Sequence, residues 1–386
     1  MLKSWISRAS FFFFGILIVT GTSSCKQEKK QKVSTAINLE SIKYAEGFAI
    51  ADYGNFKIIE VTQPWPEAEK TYRYALLPEG NELPDSLNID AKITVPVQSI
   101  VVTSTTHIPS LEMLGVENTL TGFPNLDYIS SEKTRQRIAN GHIKELGQNE
   151  SINTETTVLL NPDVIVSFGV AGQNKSLDGI ARSGIPVVYN GDWVEQNPLG
   201  KAEWIKFFAA FYNKQKQADS IFKVIENQYL ETQKIAATAA NSPTVLSGAL
   251  FKDVWYAPKG DSWSARLIAD ANGDYLYSDI PGTGSRSLSL ETVLNDALDA
   301  AYWIAPNAFT TLEEMRGSNS VYAKFKAFQD KKVYGFGTKK GATGGILYYE
   351  VAPNRPDWVL QDLVHILHPG LLPNHQPHFF FPLEDR

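Results

Sequence analysis

The sequence predicts an α/β protein with two lobes of parallel or mixed sheet, a helical segment between them and a β extension at the N-terminus. Short apolar runs alternate with helical patterns on both sides of residues 200–240, a stretch with few helix-breaking residues. Such alternation is typical of parallel strands with helices on both faces. The chain has 386 residues, of which 43% are hydrophobic, and this is enough for two hydrophobic cores.

Residues 1–25 have the pattern of an export signal that ends on a lipid-modified cysteine. Lys3 and Arg8 precede a short apolar run at residues 11–19, and small residues then lead to Cys25, the single cysteine of the sequence. The run is shorter than the roughly 20 residues that span a bilayer, which favours a lipoprotein signal. An ordinary signal peptide or an anchoring helix is the alternative. We therefore expect an extracytoplasmic, membrane-anchored protein with a charged tether at residues 26–41.

Residues 42–95 are predicted to form an N-terminal β extension and a linker. Strand patterns at residues 44–51, 56–62 and 72–77 are separated by turn residues and by two prolines. These patterns predict a small antiparallel sheet, and the polar residues 81–91 predict a linker. The sequence indicates no function for this extension.

Residues 96–199 are predicted to form the first lobe. Strands are expected at residues 99–103, 120–123, 163–168 and 185–189, and helices at residues 108–114, 154–160 and 177–183. Ligand sites in sheets of this kind lie at the carboxyl ends of the strands. The loops that follow these strands are therefore the candidate binding loops.

A helical segment and a second lobe follow. Residues 200–241 carry apolar side chains at helical spacing, and a single helix of about 40 residues would be about 60 Å long. Two antiparallel helices are the alternative. Residues 242–386 resume the alternation, with strands expected at residues 244–250, 301–304 and 332–336. The helices of this lobe are expected at residues 264–271, 290–297, 321–328 and 356–367.

Two strings of the first lobe resemble the class III periplasmic binding proteins, the cobalamin- and ferric-siderophore-binding components of ABC importers. They are SIVVTSTTHIPSLEMLGVENTLTGF (99–123) and HIKELGQNESINTETTVLLNPDVIVSFG (142–169). The second lobe matches more loosely through GDSWSARLIADANGDYLY, SLSLETVLNDALDAAYWI and KKVYGF. The resemblance covers about residues 97–367. It implies two α/β lobes joined by one long helix, with the ligand between them, and it leaves the extension unexplained.

The resemblance and the strand-end loops together give a set of candidate ligand-binding residues. The ligand is expected to be a ferric siderophore or similar chelate, with cobalamin as the alternative. Aromatic side chains suit a flat or apolar chelate, whereas cations suit its carboxylates or an anionic iron complex. The candidates are Thr105, His107, Tyr128, Arg135, Trp193, Trp255, Tyr256 and Lys339.

Other kinds of function are less favoured by the sequence. The formal net charge of −6 argues against a nucleic-acid partner. The six histidines show no metal-binding spacing, so we expect no directly bound metal ion and no cofactor beyond a metal inside the chelate. No catalytic motif is present, and we expect a binding protein rather than an enzyme. A chelate-modifying enzyme on the same fold remains the alternative.

Glu155 and Glu291 occupy equivalent places in the two lobes, each at the start of a predicted helix. In the family that the chain resembles, one glutamate at each such place meets arginines of the two permease subunits. The resemblance therefore implies that a monomer docks on an ABC permease dimer through these two residues. The alternative is that each carboxylate stabilises its helix through the helix dipole, a contribution of about 0.3–1 kcal/mol.

Overall fold

The computed structural model describes residues 36–170, 172 and 174–385 of the protein. Cys25, the predicted signal and most of the predicted tether lie outside the described residues. Within the described part of the chain, no helix combines the length and the hydropathy needed to cross a bilayer.

The N-terminal extension is a five-stranded sheet in the order β1-β2-β3-β4-β5. Its strands are β1 (Asn38–Leu39), β2 (Phe48–Asp52), β3 (Lys57–Val61), β4 (Tyr72–Pro78) and β5 (Ala91–Val95). The first three pairings are antiparallel, but β5 runs parallel to β4. Residues 81–91, predicted as a linker only, thus lead to a fifth strand. Ile93 and Val95 of this strand are buried in the main core.

The strand predicted at residues 44–51 is β2, and it starts later than predicted because the backbone before it is hydrogen-bonded to the connector. The backbone N–H groups of Lys43, Tyr44 and Ala45 all donate to the carboxylate of Glu203, at 2.7–3.0 Å. Those of Glu46 and Gly47 donate to Glu195. Since these donors are already paired, the ladder of β2 begins only at Phe48.

The first lobe is built on a five-stranded parallel sheet in the order β12-β11-β6-β7-β8. Its strands are β6 (Ile100–Val102), β7 (Leu120–Phe123), β8 (Lys144–Glu145), β11 (Val164–Phe168) and β12 (Val187–Asn190), and β9 (Gly147–Gln148) and β10 (Ser151–Ile152) form a separate hairpin. The helices are α1 (His107–Met113), α2 (Glu132–Ala139), α3 (Thr154–Leu160) and α4 (Lys175–Arg182). The predicted strands of this lobe are all present.

Three helices form the connector between the lobes: α5 (Pro198–Glu203), α6 (Ile205–Ala210) and α7 (Gln215–Ala236). The prediction of one helix over residues 200–241 is wrong, because the chain turns at Asn213, which has a left-handed φ of 55°. Lys206 of α6 contacts Asp219 of α7 at 3.3 Å, so the two helices fold back on each other. Helix α7, with 22 residues, is about 33 Å long and is the long helix of the fold.

The second lobe contains a mixed sheet in the order β16-β13-β18-β19-β20 and an antiparallel sheet in the order β14-β15-β17. The strands are β13 (Thr244–Ser247), β14 (Ala249–Phe251), β15 (Val254–Pro258), β16 (Asp274–Tyr275), β17 (Ser285–Leu288), β18 (Tyr302–Ile304), β19 (Val333–Gly335) and β20 (Phe381–Pro382). The helices are α8 (Trp263–Asp270), α9 (Leu290–Ala297), α10 (Leu312–Ser318), α11 (Lys326–Gln329), α12 (Leu347–Val351) and α13 (Pro356–Leu367).

The predicted strand at residues 244–250 is divided in the structure by Gly248. This glycine has a φ of 86°, and a Cβ there would lie 2.1 Å from the carbonyl oxygen of Tyr256. Only glycine fits such a conformation and such an approach, so the chain leaves the first sheet and starts the second at this point.

The main core joins the extension, the connector and both lobes. Every residue of α5 and α6 is buried, and Phe48 of the extension contacts Trp204 and Phe207 with ring centroids 4.5 and 6.0 Å apart. Two charged residues of these helices are paired inside the core, since Lys206 contacts Glu203 at 2.9 Å. The architecture confirms the predicted α/β fold of two lobes with parallel and mixed sheets, a long helix and an N-terminal β extension.

Candidate ligand-binding cleft

The parallel strands of the first lobe end at one edge of their sheet, and this edge faces the second lobe. Loops that follow β6, β7 and β11 line a cavity of about 290 Å³ together with residues of the second lobe. The lining residues are Thr103, Ser104, Thr105, Phe123, Pro124, Tyr128, Asn149, Phe168, Gly345, Ile346 and Tyr349. A site at the carboxyl ends of parallel strands follows the general rule for such sheets.

The walls of this cavity are aromatic and hydroxyl-bearing. Tyr128 of the first lobe and Tyr349 of the second lobe are 64% and 53% exposed, and both line the same space. Burial raises the pKa of the Tyr349 phenol, so it stays protonated at neutral pH. None of the eleven described lining residues is an acid or a base other than these tyrosines. Such walls suit a ligand with a large organic surface rather than a bare ion.

A hairpin of the second lobe separates this cavity from a second, cationic one. Lys340 and Ile346 form a β-bridge, and the hairpin between them lies against residues 127–131 of the first lobe. A Cβ on Gly341 would lie 2.6 Å from the Cα of Ser130, which explains the glycine at this position. On the far side of the hairpin, a cavity of about 600 Å³ is lined by Arg135, Lys339 and Lys340.

Next to this hairpin, the buried carboxylate of Glu350 connects the two lobes through hydrogen bonds. Glu350 of α12 accepts hydrogen bonds from the backbone N–H of Ser130 at 2.6 Å and of Ser131 at 2.9 Å. Burial raises the pKa of Glu350 to about 7, against the opposing effect of these two donors. Asn354 adds a hydrogen bond with Ser110 across the lobes. The cleft is therefore closed on this side by specific polar contacts.

Comparison with known proteins decides the family. The model of the periplasmic binding protein family matches residues 100–339, more than half of the chain. The chain belongs to the periplasmic binding protein family. An uncharacterized lipoprotein of Methanocaldococcus jannaschii is 29% identical over 297 residues, which cover 75% of this chain and 69% of the relative. A second lipoprotein of the same organism is 25% identical over 364 residues, covering 89% and 88%.

Solved structures of periplasmic binding proteins share the fold. The heme-binding protein HutB of Vibrio cholerae matches with a TM-score of 0.54 at 15% identity, over 68% of this chain and 99% of its own. The triscatecholate siderophore-binding protein FeuA of Bacillus subtilis matches with a TM-score of 0.52 at 16% identity, over 72% and 94%. The class III resemblance seen in the sequence is thus confirmed. The extension precedes the matched residues.

The structure divides the predicted ligand-binding residues of this periplasmic binding protein among three cavities, the core and, for Tyr256, an exposed strand face. Thr105 and Tyr128 line the 290 Å³ cavity. Arg135 and Lys339 line the cationic cavity beyond the hairpin. Trp193, which is 40% exposed, lines a cavity of about 520 Å³ at the other end of the cleft. The aromatic and cationic candidates are therefore not in one place.

His107 is a buried residue and not a cleft residue, contrary to the prediction. It is fully buried, and its ring lies 5.2 Å from the ring of Phe208 in the connector. Burial lowers the pKa of His107 and keeps it neutral, although the carboxylate of Asp192 acts in the opposite direction. Among the described residues, neither ring nitrogen has a hydrogen-bond partner. Its position as the first residue of α1 turns the side chain inward.

Trp255 is also a core residue, contrary to the prediction. It is fully buried, its ring stacks on Trp303 at 5.3 Å, and its Nε1–H donates to the carbonyl of Ser247. Tyr256, the next residue of β15, points to the opposite face and is 42% exposed. Its ring lies 6.5 Å from that of Phe251 and outside the lining of the 290 Å³ cavity.

Asn149 and Tyr349 are lining residues of the cleft that sequence reasoning missed. Asn149 borders both the 290 Å³ cavity and a cavity of about 410 Å³ that continues along β11. Tyr349 follows the glycine-rich hairpin, and its signal was the sequence Gly344-Gly345-Ile346-Leu347-Tyr348-Tyr349. Glycines before adjacent aromatics indicate a tight loop that carries side chains to a surface.

Glu155 and Glu291 are both exposed. Each lies in the first turn of its helix, α3 or α9, and the N-caps are Asn153 and Ser289. Within residues 36–170, 172 and 174–385, no three His, Cys, Asp or Glu side chains are grouped as a metal ion requires.

Proposed function

We propose that the protein is the extracytoplasmic solute receptor of an ABC importer and that it captures a metal chelate between its lobes. Membership of the periplasmic binding protein family supports a binding role. The cavity between the lobes supports an organic ligand, because its walls are tyrosines, phenylalanines and hydroxyl groups. The same features support a binding protein rather than an enzyme.

The proposed ligand is a ferric siderophore or a related chelate, with cobalamin as the alternative. Similar folds bind heme, a triscatecholate siderophore and vitamin B12 in other organisms. The observation that carries the proposal is the pair Tyr128 and Tyr349, exposed residues from opposite lobes on one cavity. Paired aromatic side chains are suited to hold a flat or catecholate-bearing ligand.

Titration of the purified protein tests this proposal. The probes are a ferric triscatecholate, hemin, cobalamin, Zn²⁺ and Mn²⁺, followed by fluorescence quenching or calorimetry. We expect tight binding of a chelate, and Tyr349→Ala or Tyr128→Ala should weaken it by about tenfold to a hundredfold. Tyr256→Ala, an exposed tyrosine of the same lobe as Tyr349, is the matched control. Tight binding of Zn²⁺ or Mn²⁺ alone would contradict the proposal.

The receptor is further proposed to be held to a membrane through Cys25. Curated relatives named as lipoproteins support this role. Attachment through two or more acyl chains gives stable membrane binding. Cys25→Ser should therefore release the protein into the soluble extracytoplasmic fraction or arrest its processing. Unchanged co-sedimentation of the variant with membranes would exclude the anchor.

Delivery of the ligand is proposed to use Glu155 and Glu291, with the receptor docking as a monomer on a permease dimer. Both carboxylates are exposed at corresponding helix starts in the two lobes. An exposed carboxylate can pair with arginine through two hydrogen bonds. Charge complementarity of this kind sets the docking register and the encounter rate.

A further inference from the structure

The N-terminal extension reaches the cleft through the loop at residues 62–71, which joins β3 to β4. Pro66 of this loop lines the 520 Å³ cavity together with Trp193 of the first lobe and Trp263 of the second. The loop lies outside residues 100–339, the part that matches the family. The shared fold therefore does not account for this wall of the cleft.

Trp65 of the loop lies against the backbone that follows β11. A Cβ on Gly169 would be 2.5 Å from Cε3 of the Trp65 ring, so the indole touches the main chain at a distance that only glycine permits. The ring is 8% exposed. Tyr72 and Tyr189 hold it from the side, in edge-on contacts with ring centroids 5.7 and 5.2 Å away. The position of the indole is thus fixed by a rigid aromatic cluster.

Trp193 depends on the same backbone. Its Nε1–H donates to the carbonyl oxygen of Gly169 at 3.2 Å, the residue on which Trp65 rests. The backbone of Gly191, two residues before Trp193, contacts the loop as well. A Cβ on Gly191 would lie 2.2 Å from the carbonyl oxygen of Gln63. Both supports of Trp193 are therefore in contact with the extension.

We infer that the extension is a working part of the ligand site and that Trp65 is a positioning residue. It sets the place of Gly169 and, through the Gly169 carbonyl, the orientation of the Trp193 indole at one end of the cleft. The wall formed by Trp193, Trp263 and Pro66 receives a flat or apolar part of the ligand. This role for the ligand rests on the proposed function, whereas the positioning of Trp193 does not.

Hydrogen exchange of the full-length, unliganded protein tests the positioning directly. In Trp65→Ala, the amides of Gly169 and Trp193 should exchange about tenfold faster than in the wild type, because local opening becomes easier. Trp65→Phe keeps an aromatic ring against Gly169 and should restore most of the protection. The control is Phe56→Ala, which removes a buried aromatic side chain from a separate core cluster of the extension. It should lower the melting temperature without accelerating exchange at Gly169 or Trp193.

Equal exchange at Gly169 and Trp193 in the wild type and in Trp65→Ala would overturn the inference. So would equal acceleration in Trp65→Ala and Phe56→Ala, since that result would mean general loss of stability. If Trp65→Ala does not fold, Trp65→Leu takes its place, because leucine keeps apolar volume but no ring against Gly169, and exchange at these two amides should still be faster than in the wild type.

Ligand titration provides the second readout. With hemin or a ferric triscatecholate as the probe, Trp65→Ala should weaken binding by about tenfold, and Phe56→Ala should leave the affinity within about twofold. A wild-type protein that binds none of the chelate probes would contradict the proposed function, while the exchange experiment would still decide on Trp65. An unchanged affinity in Trp65→Ala would exclude the ligand role of the extension.

Discussion

Glu350 is a buried carboxylate whose protonation couples the contact between the lobes to pH. Its pKa is raised to about 7 in the folded protein, from an ordinary value of 4.5. A raised carboxyl pKa means that the folded state holds the proton more tightly. The stabilising contribution is therefore complete below about pH 4.5 and is lost as the pH rises through about 7.

We expect this one group to lower the free energy of unfolding by about 2–4 kcal/mol between pH 4.5 and pH 8. Glu350→Gln cannot ionise and should remove most of that pH dependence. The measurement is urea unfolding of both proteins at several pH values. Glu231→Gln, an exposed position on α7, is the control and should keep the wild-type slope. A slope unchanged in Glu350→Gln would show that other groups carry it.

Glu203 is a second buried carboxylate, and it binds the extension to the connector. It is fully buried, accepts the backbone N–H groups of residues 43–45 and contacts Lys206 at 2.9 Å. Glu203→Ala leaves these donors and the Lys206 ammonium without their partner. We expect a loss of about 3–5 kcal/mol in the free energy of unfolding, measured by denaturant titration.

Glu226→Ala is the comparison for this prediction. Glu226 also contacts the extension, through Lys43 and the Tyr44 hydroxyl, but Lys43 is largely exposed. An exposed ion pair contributes little, so we expect a loss below about 1–2 kcal/mol. Equal losses in the two variants would show that Glu203 has no special part in binding the extension.

At the scale of elements, the turn at Asn213 makes the connector compact. Asn213 is exposed and adopts a φ of 55°, which asparagine and glycine tolerate better than other residues. Asn213→Gly should change stability by only a few tenths of a kcal/mol, while Asn213→Val should cost about 1–2 kcal/mol because its branched side chain opposes this conformation. Thermal unfolding measures both. Similar losses of stability in the two variants would show that the left-handed backbone conformation of residue 213 does not determine the turn.

The connector also shows where sequence reasoning loses information about elements. The apolar spacing continues from Trp204 through Phe211 to Phe222, so periodicity alone cannot detect a change of direction. The turn is marked only by Asn213, and a single asparagine is also common inside helices. In the extension, the shift of the first strand from residue 44 to Phe48 depends on Glu203 and Glu195, which lie about 150 residues away. The local sequence pattern around residues 44–48 cannot predict such long-range contacts.

At the scale of the whole molecule, Glu155 of the first lobe and Glu291 of the second are expected to act together when the protein docks on the proposed permease. Glu155→Arg and Glu291→Arg should leave ligand affinity nearly unchanged and should strongly reduce transport in a reconstituted importer, since each reversal opposes an arginine of the permease. Transport and stimulated ATP hydrolysis are the measurements. Glu231→Arg, on the connector, is the charge-matched control. Transport at the wild-type rate in both Glu155→Arg and Glu291→Arg would exclude the docking role, and the two glutamates would then only stabilise their helices through the helix dipole.

The candidate cleft was predictable in its location and only partly in its lining residues. Strand-end reasoning indicated Thr105 and Tyr128 because parallel strands bring their carboxyl ends to one edge. It failed for Trp255 and His107, since the direction of a side chain depends on packing that the sequence pattern does not encode. Tyr349 was missed because the hairpin carries it across to the first lobe. The β alternation that buries Trp255 and exposes Tyr256 is visible only once the strand bounds are known.

The attachment of residues 41–47 to the connector determines how the protein bears mechanical load. Lys206 donates to the carbonyl of Ser41, and Glu203 binds the next residues. A pull on the chain from its N-terminal side therefore reaches the β1–β2 pairing first, and α5 and α6 directly after it. These helices are buried in the core that the extension, the connector and both lobes share, so the load enters that core. In the proposed lipid-anchored receptor, a force on the tether would therefore be taken up by β2 and the connector before it reached the cleft.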